Sequence, residues 1–207
     1  MAKLNRAVRR ESAGSNQYKL VIDLDEMFGR LVPNSSRFRQ AVGQAILDTI
    51  VSRTQDDNKG WKGSAFKAYS DEYADSLEFA AAGKSESNVN LTNSGDMLGL
   101  MDITKETQST IEIGWPDADE AQKAHGHITG NVGKKRDFFG ITEGEMESIV
   151  TDLEPLRQSL VEDSPTGEVR SSVPTLQALI DGEGSVSSQT TTLGGLIGQL
   201  FGGETDG

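Results

Sequence analysis

The order of residue patterns along this 207-residue chain predicts an α+β fold: a mostly antiparallel sheet packed against a long N-terminal helix and a second helix after Thr142. Three observations predict it. Residues 18–24 alternate Leu20, Ile22 and Leu24 with Lys19, Val21 and Asp23, the period-two pattern of a strand. Phe38, Val42, Ala45, Ile46, Thr49 and Ile50 recur at spacings of three and four, which puts them on one face of a helix over residues 35–53. Strand-like runs at 101–105, 110–115 and 136–141 precede Thr142-Glu143-Gly144-Glu145, the capping box of a helix through Met146, Ile149, Val150 and Leu153.

The remaining elements follow from turns, caps and breakers. Pro33-Asn34-Ser35-Ser36 offers a turn and a cap for the long helix. A polar break at 55–59 leads into a stretch whose aromatics, Trp61, Phe66, Tyr69, Tyr73 and Phe79, are expected to pin a loop that passes into one short helix over residues 70–77. A small-polar linker at 81–90 follows. Residues 91–99 then read as a short helix capped by Ser94, with Met97, Leu98 and Met101 on one side. The strands at 101–105 and 110–115 pair across a turn, and Pro116, lacking an amide donor, ends the second. Asp117, Asp119 and Glu120 sit at a helix start, where the macrodipole favours acids; Ala118, Ala121 and Ala124 give that helix a narrow face that ends at His125-Gly126. Residues 130–135 read as a flexible basic loop, and Pro155 is expected to end or bend the last helix. The organisation read from these signals is an N-terminal arm at 1–17, a folded domain at 18–160 and an extension at 161–207.

Composition narrows the function classes. There is no cysteine, which excludes disulfides, thiolate metal sites and cysteine nucleophiles. A hydrophobic share of 35% with 23 glycines implies that part of the chain lies outside any core. The basic amino end lacks the apolar run of a signal peptide and no segment is apolar enough to span a bilayer, so a protein made and kept in aqueous surroundings, without membrane contact, is expected. The net charge of −12 is unevenly spread: residues 141–207 carry 2 Lys+Arg against 12 Asp+Glu, residues 1–60 carry 10 against 7. That balance does not fit a surface that grips phosphates by counterion release, so no specific nucleic-acid binding is expected.

Candidate chemistry is thin. His125 and His127, with Asp117, Asp119 and Glu120 nearby, form the one constellation that invites a metal reading. The acids lie on a helix that turns most of them away, so neither a metal nor another cofactor is expected. There is no G-x-S-x-G elbow. The acid pairs Asp23/Asp25 and Glu143/Glu145 read as solvated faces and caps rather than as glycosidase carboxylates. The glycine-rich GWKGS and ITGNVGKKR fit neither a Walker nor a dinucleotide pattern, and the chain does not read as an enzyme.

Leu91, Ser94, Gly95 and Leu98 match an L-x-x-S/T-G-x-L segment, and Ile111, Ile113 and Gly114 a v-x-i-G strand. Ala121, Ala124, His125 and Gly126 are matched to an A-x-x-H-x-x-G helix end, and Arg136, Phe138, Phe139 and Gly140 to an R-x-F-F/L-G strand. In this order the four elements resemble the virion morphogenesis, or tail completion, family of tailed bacteriophages; the resemblance covers residues 18–153. It implies a structural neck protein of the head-tail junction, one subunit of a homo-oligomeric ring of about six that caps the tail or joins it to the head connector. It further implies neighbouring neck, connector or tail terminator proteins as partners, DNA passing through the lumen, and residence in the virion after assembly in the host cytoplasm. A tail terminator or connector adaptor, or a small virion-associated hydrolase, are the alternatives. Trp115, His125 and Phe139 are candidate interface residues of such a ring. Adjacent strand residues point to opposite faces, so one of Phe138 and Phe139 is expected in the core and the other against a second helix layer or a neighbour.

Beyond residue 160 the chain turns acidic and rich in Ser, Thr and Gly, as a linker does. Two apolar islands interrupt it, at 173–180 and 193–201. Leu193, Leu196, Ile197, Leu200 and Phe201 are candidate docking residues for another chain, ordered on assembly.

Overall fold

A computed structural model describes residues 4–29, 32–86, 89–91, 96–131 and 133–162. One antiparallel sheet has the strand order β1-β2-β4-β3, with β1 at Val8–Ser12, β2 at Tyr18–Asp23, β3 at Asp102–Glu106 and β4 at Thr110–Gly114. The fold is α+β, as the sequence predicts. At the sheet centre Leu20 faces Ile113 and Ile22 faces Ile111, and all four are buried under the helices. Alternation sends Lys19 and Glu112 to the outer face.

Residues 4–12 belong to this fold and are not an arm. Helix α1 (Leu4–Ala7) buries Ala7, and β1 pairs with β2 from Val8↔Ile22 to Ser12↔Tyr18. The strand escapes the sequence reading because Val-Arg-Arg-Glu-Ser has no apolar alternation, as suits an exposed edge. Leu24 also departs from its expected place: Asp23 accepts the Glu26 amide at 3.0 Å and starts α2 (Leu24–Phe28).

Helix α3 (Ser36–Gln55) starts at the Ser35 cap and buries Phe38, Val42, Ile46 and Ile50, a spacing of four that makes one continuous stripe. A Cβ at Gly43 would overlap the Ile103 side chain, so glycine lets α3 lie close to β3. The single helix expected at 70–77 is instead two turns, α4 (Asp71–Ala74) and α5 (Leu77–Ala81). Ser76 caps a fresh start by accepting the Phe79 amide at 3.2 Å. The aromatics do hold this loop: Tyr69, Phe79 and Val89 form a second small core, with Tyr69, Tyr73 and Phe79 edge to face at centroid distances of 5.3–5.5 Å. Helix α6 (Asp96–Gly99) leads into Met101, and Met97, Leu98 and Met101 are buried together; Ser94 lies outside the described residues.

Helix α7 (Ala118–Thr129) is capped by Asp117, which accepts the amides of Asp119 and Glu120 at 2.9 Å. Ala121 and Ala124 are buried, but Ala118 is exposed. The helix does not end at His125-Gly126. It runs to Thr129 and closes on Gly130, at φ 89°, so the Ala-x-x-His-x-x-Gly spacing is met by Ala124, His127 and Gly130. Helix α8 (Glu143–Glu162) opens on the expected box, with the Glu145 amide donating to Thr142 Oγ1 at 3.2 Å and Glu145 Oε2 accepting the Thr142 amide at 2.7 Å. Pro155 does not end it; the helix continues to Glu162 without that one amide donor. The extension from residue 163 lies outside the described residues.

The strand expected at 136–141 is absent, although the segment lies in the core. Four of its carbonyls, at 137–140, are taken by two arginine side chains and one loop amide instead of a partner strand. Arg53 Nη2 donates to Phe138 O at 2.7 Å and Gly140 O at 2.8 Å, while Arg10 Nη1 donates to Phe139 O at 3.0 Å and pairs with the Asp137 carboxylate. The Trp61 amide reaches Asp137 O at 3.0 Å. Two guanidiniums thus satisfy three consecutive carbonyls, Arg10 the middle one and Arg53 those before and after it, in place of a ladder. With both sides covered, Phe138 and Phe139 are both fully buried, which corrects the expected division of labour.

The loop before Phe66 is wedged against this segment: a Cβ at Gly60 would sit 2.6 Å from Asp137 O. Gly60→Ala is therefore expected to lose about 1 to 3 kcal/mol in urea unfolding, because a backbone carbonyl cannot step aside cheaply. Gly144→Ala, in the first turn of α8 with open space around it, is expected instead to gain a few tenths to about 1 kcal/mol from helix propensity.

Candidate functional site

The candidate interface residues do not gather at one surface. Phe139 is fully buried, and Trp115 packs on it at a centroid distance of 4.6 Å while its indole donates to Met97 O at 2.5 Å. Both serve the chain's own core, so their reading as interface residues is corrected. His125 is half-buried and stacks on Tyr18 of β2 at 5.1 Å. Leu193, Leu196, Ile197, Leu200 and Phe201 lie outside the described residues. His125 and His127 are two apart on a helix, roughly 200° around its axis, and they point to different neighbours; among the described residues no group of three His, Asp or Glu side chains could hold a metal.

Two features do stand out. The first is the pair of sheet edges. Among the described residues no strand lies beyond β1 or β3. The β3 edge borders an open groove of about 670 Å³, lined by Gln40, Ala41 and Gln44 of α3 together with residues 102–106. Arg39 Nε and Ser36 Oγ bind Glu106 Oε1 at 2.7 and 2.8 Å, which fixes the end of β3 to the start of α3. A register shift between Ile103 and Lys105 makes this edge irregular.

Between the edges the outer face is a charge ladder. Glu112 takes Lys19 Nζ at 2.9 Å and Lys105 Nζ at 3.5 Å. The hydrogen bond from Lys19 holds the Glu112 carboxyl below its ordinary range. On α8, Arg157 grips Glu154 through two bonds of 2.6 and 2.7 Å, and with Gln158 lowers its pKa to about 2. A carboxylate whose pKa is depressed on folding contributes stability above its unfolded value, and that contribution disappears as pH falls through the folded value. The stability difference between wild type and Glu154→Gln is therefore expected to shrink as pH falls from about 4.5 towards 2, in paired thermal melts. Exposure keeps this effect small at any pH.

The second feature is a basic cluster on an aromatic platform. The loop 133–136 carries Lys134 and Arg136 back against the 66–84 segment. Arg136 is only 8% exposed, yet its guanidinium lies over the Tyr69 ring at 5.2 Å and makes a single long bond, 3.5 Å, to Lys67 O. Lys84 Nζ sits over both Tyr69 and Tyr73, at 5.1 and 5.3 Å, and Lys134 Nζ donates to Ala68 O and Tyr69 O at 2.9 and 3.1 Å. His127, on α7, faces Arg136 and Lys84; burial and then these two charges lower its pKa. Arg136 Nε, Tyr69 Oη and His127 Nδ1 are buried without a partner. The sequence carries a signal for this cluster in its run of cations at 134–136 and, separately, in the aromatic stretch from Phe66 to Phe79, but nothing in the sequence brings the two together.

Among the described residues no helix is long and apolar enough to cross a membrane. Comparison with protein-family models, with curated proteins and with solved structures finds no match to this chain.

Proposed function

We propose that the protein is a structural component of the head-tail junction of a tailed bacteriophage, one subunit of a ring that caps the tail or joins it to the head connector. The reading rests on the four ordered sequence elements between Leu91 and Gly140 and on the α+β fold that carries them. The observation that carries it furthest is the pair of sheet edges. A ring needs a heterologous interface, in which one surface of a subunit meets a different surface of the next. β1 and β3 are two different open edges on opposite sides of one sheet, and an edge strand is a template for pairing with another chain. Main-chain pairing of β1 with the next subunit's β3 supplies such an interface, with Arg39, Gln40 and Gln44 beside it to select the partner. The acidic net charge of −12 fits a lumen through which DNA slides without deep binding minima. The apolar residues from Leu193 to Phe201 add a second attachment to a neighbouring chain. Tail terminator and connector adaptor are positions within the same reading.

The absence of cysteine makes the edge pairing directly testable. Arg9→Cys and Lys105→Cys place one thiol on each edge strand. Within one subunit the two lie three strand spacings apart, about 14 Å, too far for a disulfide, which needs Cα atoms within about 7 Å. Mild oxidation of the double variant is expected to give a ladder of disulfide-linked oligomers that stops at the ring size. Crosslinks no more frequent than in either single variant count against β1–β3 pairing.

A further inference from the structure

We propose that Lys84, His127 and Arg136, backed by Tyr69, form a binding site for a compact oxyanion, a free phosphate- or sulfate-like group. The proposal stands independently of any ring. In a chain of net charge −12, cations are expected to find carboxylates, and nine of the described ones have one within 4 Å, the buried Arg53 among them. Lys84, Lys134 and Arg136 are among the described cations without one, and of those Arg136 alone is buried; the others can be met by solvent.

Burying a guanidinium without an anion is costly, and leaving its Nε with no acceptor adds the loss of a charge-assisted bond. Stacking on Tyr69 offsets only part of this. Three orphan groups share the neighbourhood: Arg136 Nε, a donor; Tyr69 Oη, which can donate; and His127 Nδ1, which donates when the ring is protonated. Arg136 and Tyr69, at 8% and 9% exposure, are more than nine-tenths buried. What they lack in common is an acceptor with several lone pairs and negative charge. An oxyanion supplies it, whereas one water meets the donors but not the charge.

The cluster is held in place by its frame. Lys134 ties the 133–136 loop to the carbonyls of Ala68 and Tyr69, and the Arg136 amide donates to His127 O at 2.8 Å. The burial of Arg136 and Tyr69 favours a small ion over the backbone of a duplex, whose phosphodiesters sit on a rod too wide to reach buried donors.

The test follows the His127 imidazole by NMR in the full-length protein, titrated with sodium sulfate against sodium chloride at matched ionic strength. Sulfate keeps its double charge across the pH range in which histidine titrates, so the change in His127 reports the site alone. The expected result is a saturable shift with a Kd of about 1 mM or tighter and a rise in the His127 pKa, reproduced by inorganic phosphate. Lys84→Gln, near the surface and expected to fold, should weaken binding about tenfold, as should Arg136→Gln if it folds; Lys62→Gln should not. A linear, chloride-like response, equal responses in wild type and Lys84→Gln, or a shift produced by duplex DNA but not by inorganic phosphate would each overturn the proposal.

Discussion

Arg53→Met is expected to lower the unfolding free energy by about 3 to 5 kcal/mol. Arg53, in the last turn of α3, is 8% exposed and reaches the segment after Arg136 and the start of α8. Its Nη1 binds both oxygens of Glu145, at 2.6 and 2.8 Å, and its Nη2 binds Phe138 O and Gly140 O. Methionine fills much of the volume but leaves two buried carbonyls without donors and Glu145 without its counter-charge. Glu145 also closes the capping box with Thr142, so the start of α8 loosens with it. Arg53→Lys recovers little, since one ammonium cannot span a bidentate carboxylate and two carbonyls. Chemical unfolding of the three proteins measures this directly; a Met variant within about 1 kcal/mol of wild type would show that the bracing is incidental.

Phe138→Ala is expected to cost about 3 to 5 kcal/mol, and Phe139→Ala a similar amount. Both rings are fully buried, and with Trp115 they make one aromatic cluster, at centroid distances of 4.6 to 6.4 Å. The two losses should be less than additive in the double variant because the rings share neighbours. Had one ring faced a partner subunit, its alanine variant would instead leave the monomer's stability near wild type and impair assembly.

These two substitutions also mark where the sequence was legible. The stripe from Phe38 to Ile50, the alternation at Leu20 and Ile22, and the Thr142 box each state a local rule that the fold obeys. The segment at 136–141 states the same rule as a strand, yet its hydrogen bonds go to Arg10 and Arg53, which are remote in sequence and carry no local signal of that use. β1 was hidden for the converse reason. An edge strand with Arg9, Arg10 and Glu11 has no buried period, so only its pairing with β2 reveals it.

The sites followed the same division. Trp115 and Phe139 looked like surface aromatics because nothing in the sequence tells a core aromatic from an interface one. His127, not His125, takes the position that the Gly130 cap defines, since the helix runs one turn further than its Gly126 implied. The Lys84–Arg136 cluster depends on a loop folding back over an aromatic platform, a contact between distant segments that no periodicity encodes.

The central claim is that this chain works as a ring subunit, and the mass of the purified full-length protein under native conditions tests it most directly. Native mass spectrometry with sedimentation velocity is predicted to give one closed species of about six copies, dissociated by substitutions at the β1 and β3 edges. A single monomeric species at every accessible concentration, with head-tail joining intact in its presence, would contradict the account.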